Sequence, residues 1–539
     1  MRRPLLVLAV LLACGPDTAS DTESSGTAGT TTGTGGGSDS QGTTGDSATD
    51  SAQPTTGQPA TVTGTTDTDD TTDSSSATTA TTGPAASCSE IVLADPSIEE
   101  SVRWLLKIPE GPIPVEAAES LAVLHTSNDV TSLAGLECFT GLTDLEFDNA
   151  EVTDLAPLAG LTGLTVLSFS SNLVTDLTPL AGLVNLEELD VARNPLTAFA
   201  PLAGLPLRRL RASDTPAADL AGLGQVVSLE SLSLLGCGYQ DIGELAPLVN
   251  LTRLDLSDNQ IGDISALAGM TALGELRLDD NAIVDLAPLA GLPQLGELHL
   301  RTNAIVDLAP LAGLTQLTAL HLDHNAIVDL APLAGLSALA HLDLTDNQVV
   351  DIGPLASLGA LYITNLDHNH IVDLAPLALP KLYELDLDDN AVVDFAPLLG
   401  APALGLLSLS YNPLGGDLDA LASHPTLHRL EADSADLQVV PEFATATLLS
   451  LSLRGNAIAD LAPLAAYQVL QTVEVSDNDI TQIAVIADDP WLSECDDIYL
   501  EGNPLDAFTL MVTVPELCAV PIHLNGVADP SCRQCIRQG

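Results

Sequence analysis

One period of 22 residues governs most of this chain. Two successive units, Leu273–Gln294 and Leu295–Gln316, read LGELRLDDNAIVDLAPLAGLPQ and LGELHLRTNAIVDLAPLAGLTQ. As a template the unit is L-x-x-L-x-L-x-x-N-x-I-x-D-L-x-P-L-x-x-L. A unit this short cannot bury its apolar face alone, so successive copies must stack and share a continuous core. The repeat therefore predicts an elongated array in place of one globular core.

Each unit divides into a strand, a turn and a short helical piece. The leucines at positions four and six alternate with polar residues, which predicts a short strand with its leucines pointing inward. The asparagine at position nine can bond to backbone groups of neighbouring coils and so build a ladder. The aspartate at position thirteen precedes Leu-x-Pro-Leu, where proline suits the first turn of a helix and aspartate can cap that turn.

These two columns recur along the chain. The asparagine column is Asn172, Asn194, Asn259, Asn281, Asn303, Asn325, Asn347, Asn369, Asn390, Asn412, Asn456, Asn478 and Asn503. The aspartate column is Asp154, Asp176, Asp219, Asp241, Asp263, Asp285, Asp307, Asp329, Asp351, Asp373, Asp394 and Asp460.

Composition narrows the function. The 539 residues carry 16 Lys and Arg against 73 Asp and Glu, a net charge of −57. Phosphate backbones repel such a chain, so nucleic acid is not an expected partner. A hydrophobic content of 46% excludes a largely disordered chain, and only 3% of residues are aromatic. Because sugar sites usually stack their ligand on aromatic faces, carbohydrate binding is also not expected.

Residues 1–13 have the pattern of an export signal. Arg2 and Arg3 precede an apolar run that is too short to span a bilayer. The run ends in Leu-Leu-Ala-Cys14, which resembles the lipobox of bacterial lipoproteins. That resemblance implies that Cys14 becomes the lipidated first residue and anchors the protein in the cell envelope. The alternative is an ordinary secretory signal with an incidental cysteine. In Gram-negative lipoproteins an aspartate directly after the lipidated cysteine favours retention in the inner membrane. This chain has Gly15 there, so in a Gram-negative source the resemblance implies the outer membrane or the cell surface.

Residues 14–87 are predicted to be a disordered tether. From residue 15 onward the segment is dominated by Thr, Ser, Gly and Asp, with ten acidic residues and no Lys or Arg. Such a segment cannot bury enough apolar surface to offset the entropy of its chain. Its root-mean-square reach is roughly 45–50 Å, enough to hold a folded part away from a surface.

The repeat resembles the leucine-rich repeat, in the 22-residue form of the bacterial internalins. The resemblance implies an α/β horseshoe-shaped solenoid with a parallel sheet on the concave face and short 3-10 or helical segments on the convex face. It divides the rest of the chain into an N-terminal helical cap with a degenerate first repeat at 88–141, about sixteen repeats at 142–491, and a last degenerate repeat with a cysteine-containing cap at 492–539. The family also implies a protein partner on the concave face. No C-terminal sorting motif is present, so host-cell invasion does not carry over.

A solenoid needs caps because its end coils would expose leucine. Asp95 and Pro96 fit the start of a helix whose apolar face is Ile98, Val102, Leu105 and Leu106. Trp104 is expected in the core of this cap.

Cysteines are expected to pair in the two caps, since an exported protein meets an oxidising compartment. The predicted pairs are Cys88–Cys138, from the proximity of cap elements, Cys495–Cys518 and Cys532–Cys535. A redox or zinc role for the last Cys-x-x-Cys remains the alternative. Cys237 stands in the asparagine column, where the family accepts cysteine, and is expected to be a buried free thiol.

The concave face should present unit positions three, five, seven and eight to solvent. Its charged residues in the central coils are the predicted partner-binding set: Arg277, Asp279, His299, Arg301, His321, Asp323, His324, His341, Asp343, Asp346, Asp367, His368, Asp386 and Asp388. Neighbouring rungs about 4.8 Å apart could also bring His321, Asp323, Asp343 and His341 around one small cation.

We therefore expect a surface-anchored, adhesin-like protein that binds a basic or mixed-charge protein partner and is a monomer. One alternative is a structural envelope protein without a specific ligand. Another is a divalent-cation or pH-responsive binding module. No motif of a serine hydrolase, zinc protease or phosphate-binding loop occurs, so no enzymatic activity and no cofactor are expected.

Overall fold

A computed structural model of the chain describes residues 88–126, 129–216, 219–414, 418–443, 447–487, 497–517 and 523–526. All of these residues belong to one compact unit, 82–539. Cys14, the signal segment and the tether lie outside the described residues. Within the described ranges, no helix has the length and apolarity needed to cross a bilayer.

The described repeats form one parallel sheet in which each strand pairs with the next strand along the chain. Equivalent unit positions stand side by side, as Leu320 does with Leu298 and Leu342. The strands in the described residues are β1 Val123–His125, β2 Asp144–Glu146, β3 Val166–Ser168, β4 Glu188–Asp190, β5 Arg209–Arg211, β6 Ser231–Ser233, β7 Arg253–Asp255, β8 Glu275–Arg277, β9 Glu297–His299, β10 Ala319–His321, β11 His341–Asp343, β12 Ile363–Asn365, β13 Glu384–Asp386, β14 Leu406–Ser408, β15 Arg429–Glu431, β16 Ser450–Ser452, β17 Thr472–Glu474, β18 Asp497–Tyr499 and β19 His523–Asn525. This confirms the predicted solenoid with a parallel sheet.

The asparagine ladder is confirmed and accounts for the turn after each strand. The Asn347 amide nitrogen donates to the carbonyls of Leu322, Leu344 and Thr345 at 3.0–3.1 Å. Its oxygen accepts from the amide of Ile327 at 2.9 Å. One buried side chain thus satisfies four backbone groups of its own and the preceding coil, which would otherwise be buried without partners.

The segments opposite the sheet are short 3-10 helices, as predicted. They are Leu136–Cys138, Ala156–Leu158, Thr178–Gly182, Ala200–Leu202, Leu223–Gln225, Gly243–Leu245, Ser265–Gly269, Ala287–Gly291, Ala309–Gly313, Ala331–Gly335, Gly353–Ser357, Ala375–Leu377, Ala396–Gly400, Asp419–Leu421 and Ala462–Ala466. Each position-thirteen aspartate accepts the amide two residues ahead; Asp329, for example, accepts from Ala331 at 2.8 Å. These aspartates are therefore structural, and their charge says little about partners.

The N-terminal cap begins with helix α1, Pro96–Leu106, followed by helix α2, Val115–Glu119. Asp95 is almost fully buried; one carboxylate oxygen caps α1 and the other accepts the amide of Thr131 at 2.7 Å. Cys88 and Cys138 form a disulfide, as predicted. The placement of Trp104 in the cap core is wrong, because this side chain is 78% exposed.

The C-terminal end of the described chain contains α3, Ala484–Ala487, a π-helical turn, Thr509–Thr513, and α4, Val514–Leu517. Cys237 is buried and free, as expected, and its thiol donates to the carbonyl of Ala212 at 3.2 Å. Burial raises the pKa of this thiol to about 11, so it stays protonated. The predicted pairs Cys495–Cys518 and Cys532–Cys535 lie outside the described residues.

Candidate functional site: the concave surface

The solvent-facing side of the sheet is built by alternation along very short strands. In β10, Leu320 is buried, while Ala319 and His321 flank it on the solvent side. We call the side chains at unit positions three, five, seven and eight the concave surface. Because every coil repeats the same backbone, the chemistry of this surface depends only on the residue types in these four columns.

The backbone conformation restricts which residue types can occupy position eight. Its non-glycine residues have positive φ angles of 50° to 59° in coil after coil, including His324, Asp346 and His368. Asp, Asn and His tolerate this left-handed conformation better than most side chains, and glycine takes it in coils such as that of Gly236. The histidines and aspartates of this column therefore have a structural reason to be there, which the sequence analysis missed.

Position seven is also largely structural. The amide of this residue lies beyond the strand and is satisfied by a nearby carboxylate. Asp388 accepts the amide of Ser410 at 2.7 Å and the hydroxyl of Ser408 at 2.6 Å. Asp367 accepts the amide of Asp388 at 2.6 Å, whereas Asp343, at position five, accepts that of Thr345 in its own coil at 3.0 Å. These aspartates hold adjacent coils together, so only part of their charge is available to a partner.

Strands β4–β9 carry a paired region, in which each exposed arginine meets a carboxylate one rung away. Arg253 lies 3.2 Å from Glu275, and Arg277 contacts both Glu275 at 3.0 Å and Glu297 at 3.2 Å. Arg209 pairs with Glu188 in the same manner. Opposite charges on neighbouring rungs neutralise each other, which leaves this half of the surface polar but electrostatically balanced.

Two histidines stack where the paired region ends. The rings of His299 and His321 have centroids 4.4 Å apart and planes inclined by only 11°. His299 Nε2 lies 2.7 Å from a carboxylate oxygen of Glu297, and this contact lowers the pKa of Glu297. Burial, together with His299, lowers the pKa of His321.

The four residues predicted to surround a cation do not assemble a site. Asp323 is only 8% exposed, so the prediction that it faces solvent is wrong, and it pairs with Arg301 at 3.1 Å. His321 is stacked on His299, while Asp343 accepts the amide of Thr345. Across the described ranges, no three His, Cys, Asp or Glu side chains converge in a way that could hold a metal ion.

Strands β12–β15 carry the strongest concentration of like charge, which we call the acidic cluster: Asp367, Glu384, Asp386, Asp388 and Glu431. Burial, together with the neighbouring carboxylates of Asp367 and Glu384, raises the pKa of Asp386 to about 7. Burial and Asp388 raise the pKa of Asp367 to about 6.

The acidic cluster has little internal compensation. The carboxylate of Asp386 accepts no hydrogen bond and has no ion-pair partner in the part of the chain that the structure describes. A hollow of about 270 Å³ opens beside it, and the one cationic residue lining that hollow, Arg429, pairs with Glu431. Asp386 is therefore a carboxyl group without a compensating partner, set among other carboxylates on the concave surface.

Of the predicted partner-binding residues, Asp367, Asp386 and Asp388 come together in the acidic cluster. Arg277, Asp279 and His299 lie around the paired region and the histidine pair. His324 pairs with Asp346 at 2.7 Å, and His368 lies 3.8 Å from Asp389, so both belong to local pairs. Glu384 and Glu431 were not among the predicted residues, although both stand on strand positions that face solvent.

This architecture defines the class. A parallel sheet with one strand per repeat, an asparagine ladder and 3-10 segments opposite the sheet are features of a leucine-rich repeat solenoid. The family model for leucine-rich repeats in two copies matches residues 162–204 and 249–290. No curated protein sequence matches the chain.

Solved structures refine the assignment. The internalin InlF of Listeria monocytogenes is 31% identical, with a TM-score of 0.56 over 59% of this chain and 95% of its own. A leucine-rich repeat protein of Leptospira interrogans is 21% identical, with a TM-score of 0.55 over 76% of this chain and 97% of its own. A plant peptide hormone receptor, solved in complex with its peptide, is 15% identical, with a TM-score of 0.52 over 77% of this chain and 88% of its own. This chain belongs to the leucine-rich repeat proteins, and its repeats are of the bacterial, internalin-like type.

Proposed function

We propose that this protein is a surface-anchored, adhesin-like binder that recognises a basic or mixed-charge protein partner with its concave surface. The observation that carries the proposal is the acidic cluster. Burying like charges side by side is unfavourable unless something compensates them, and Asp386 has no compensating group. A lysine or arginine of a partner would supply the missing cation.

Two features of the surface support a protein over a sugar. Aromatic rings for stacking a sugar are scarce along the strands, whereas carboxylates occupy successive rungs over several coils. An extended row of this kind suits a partner that presents several cationic side chains. Binding should weaken steeply with salt, because exposed charge pairs are screened.

The anchor is a separate part of the proposal and rests on sequence. Lipidation of Cys14 would hold the protein in the cell envelope, and residues 14–87 would place the solenoid away from the membrane. Metabolic labelling with a fatty acid should mark the wild-type chain, and Cys14→Ser should abolish the label. A labelled Cys14→Ser variant would contradict the anchor without affecting the binding proposal.

Charge reversal tests the binding proposal. Glu384→Lys with Asp386→Lys changes two carboxylates that accept no backbone amide, so the coils keep their structural bonds. Glu119→Lys with Glu244→Lys makes the same change in net charge on exposed residues away from the sheet. Surface proteins captured by the immobilised wild-type chain are compared with those captured by each double variant.

We expect a saturable, salt-sensitive partner that the first double variant loses and the second retains. Equal loss in both variants would mean that net charge alone attracts the partner. The absence of any saturable partner would favour the alternative of a structural envelope protein.

A second candidate, pH-tuned binding, is favoured by the raised pKa of Asp386. Below pH 6 this carboxyl is largely protonated, so a cationic partner should bind more weakly than at pH 8. The affinity of the captured partner, measured between pH 5 and pH 8, tests this. Asp386→Asn should reduce that dependence, because it keeps the site neutral at every pH.

A further inference from the structure

Trp104 is the most exposed large apolar side chain of the described residues, at 78%. It lies in α1 two residues after the buried Val102, which places it about 200° around the helix from the core-facing side. Trp is normally among the largest contributors to a buried core or an interface. Its exposure on a helix therefore indicates that this side chain contacts a binding partner.

Trp104 lines two hollows. One hollow of about 630 Å³ lies between α1 and β1, and a second, of similar size, lies on the opposite side toward Lys107. Arg103 is committed elsewhere, since it pairs with Glu99 at 2.8 Å and donates to the carbonyl of Gly111 at 3.0 Å. The ring has neither an aromatic nor a cationic partner within the described part of the chain.

The hollow between α1 and β1 is continuous with the concave surface. Val123 and His125, which line it, hold positions three and five of β1, the first row of the sheet. Val123 is 45% exposed and, with Leu105, makes the floor of the hollow apolar. A partner that lies along the sheet would therefore reach Trp104 at its N-terminal end.

The charge around this hollow is negative. Glu100 lines one side, and Asp144 and Glu146 lie 3.2 Å and 3.8 Å from the His125 ring on the other side. No Lys or Arg lines it. An aromatic face with carboxylates close by is a favourable environment for an ammonium or guanidinium group, whose aliphatic stem can pack on the apolar floor.

We propose that Trp104 is an anchor for a lysine or arginine side chain of the protein partner, received between α1 and β1 as an extension of the concave surface. The inference rests on the proposed function, because it assumes a cationic partner lying along the sheet. It adds a specific aromatic contact at the opposite end from the acidic cluster. A partner that uses both would span most of the sheet.

The test uses the full chain and an octalysine peptide as the probe. We expect octalysine to change the tryptophan fluorescence of wild type but not that of Trp104→Leu, in which Trp491 is the remaining tryptophan. By titration calorimetry it should bind about three- to fivefold more weakly to Trp104→Leu, which keeps an apolar side chain but removes the aromatic face. Trp104→Phe should lose less than Trp104→Leu. Circular dichroism and thermal melting should be unchanged in both variants, because the side chain is largely exposed.

Three outcomes would overturn the inference. Equal affinity of octalysine for wild type and Trp104→Leu would remove Trp104 from the interface and leave the concave-surface proposal intact. An octapeptide of acetyl-lysine that changes the fluorescence as strongly as octalysine would show an apolar groove in place of a cation site. Absence of any octalysine binding, at low salt and pH 8, would count against the cationic partner itself.

Discussion

The paired region and the acidic cluster share one backbone and differ only in the side chains of the same columns. In the paired region, Arg253 and Arg277 alternate with glutamates on neighbouring rungs, and the charges cancel. In the acidic cluster, carboxylates follow carboxylates, and the pKa of Asp386 rises to about 7. A repeat can therefore keep its fold constant while its solvent-facing columns change from neutral to strongly negative. We expect recognition to concentrate where neutralisation is missing.

The largest expected effect is a loss of stability on removing the asparagine ladder, which both regions share. Asn194, in the paired region, and Asn369, in the acidic cluster, each make four hydrogen bonds to the backbone, at 2.9–3.1 Å. Replacing either by alanine should cost about 3 kcal/mol in the free energy of unfolding, because buried backbone groups lose their partners. The two losses should be similar, as judged by urea denaturation. A loss at Asn369 less than half that at Asn194 would show that the scaffold also differs between the regions.

The next largest effect is a difference in stability between variants of the acidic cluster and of the paired region. Asp386→Asn should stabilise the protein by about 1–2 kcal/mol at pH 8, a range that allows for solvent screening. Glu188→Gln, in the paired region, should instead be neutral or destabilise by less than about 1 kcal/mol, because it removes one partner of an exposed ion pair. Denaturation midpoints of both variants against wild type measure the contrast. Destabilisation by Asp386→Asn at pH 8 would contradict an electrostatic penalty at Asp386.

The sign of the pH dependence follows from the raised pKa of Asp386. The folded state holds this proton up to about pH 7, whereas an unfolded aspartate releases it near pH 4. The penalty is therefore absent below about pH 4, grows between pH 4 and 7, and is complete above pH 7. The stabilisation by Asp386→Asn should disappear on acidification through that window, while Glu188→Gln should show no matching trend there.

Salt should change the local stability of the two regions in opposite directions, by smaller amounts. Raising the ionic strength from about 10 mM to about 1 M shortens the screening length from roughly 30 Å to roughly 3 Å. Repulsion within the acidic cluster is then relieved, and the ion pairs of the paired region weaken. Amide hydrogen exchange should slow in β13 and β14 and stay the same or quicken in β5 and β6. Uniform slowing across all four strands would indicate a general salt effect.

The smallest expected effect is the titration of His321, which lies where the paired region ends. The folded pKa of His321 is lowered, chiefly by burial and then by His299, while Asp343, Asp279 and Glu297 oppose the shift. A lowered pKa favours the neutral ring, so His321 should titrate below the usual value of about 6.5 in histidine NMR spectra. Its stability penalty should appear only as the pH falls below that value. His321→Gln identifies the signal, and a midpoint above 6.5 would mean that the three carboxylates dominate.

Much of the fold could be predicted because the relevant interactions are local and repeated. The alternation of leucines predicted the strands. Asn347 and its equivalents predicted the ladder, and Asp329 and its equivalents predicted the caps of the 3-10 helices. Trp104 was misplaced although the apolar face of α1 was assigned by the helical period, because a residue two positions after Val102 lies about 200° around the helix from that face. Asp323 was misplaced because the strand alternation was extended to position seven, which lies beyond the strand, where the side chain is buried against Arg301.

Sequence by itself determined the repeat, the asparagine and aspartate columns, the acidic balance, and the resemblance to internalins, since each is a property of spacing along one chain. Tertiary structure decided which charges are available. Asp388 and Asp343 are engaged with backbone amides, His324 occupies a left-handed backbone position, and Asp386 is left without a partner. These differences arise between coils some 22 residues apart in sequence. Whether a carboxylate is bonded or free depends on where it lies relative to the amides and cations of the next rung.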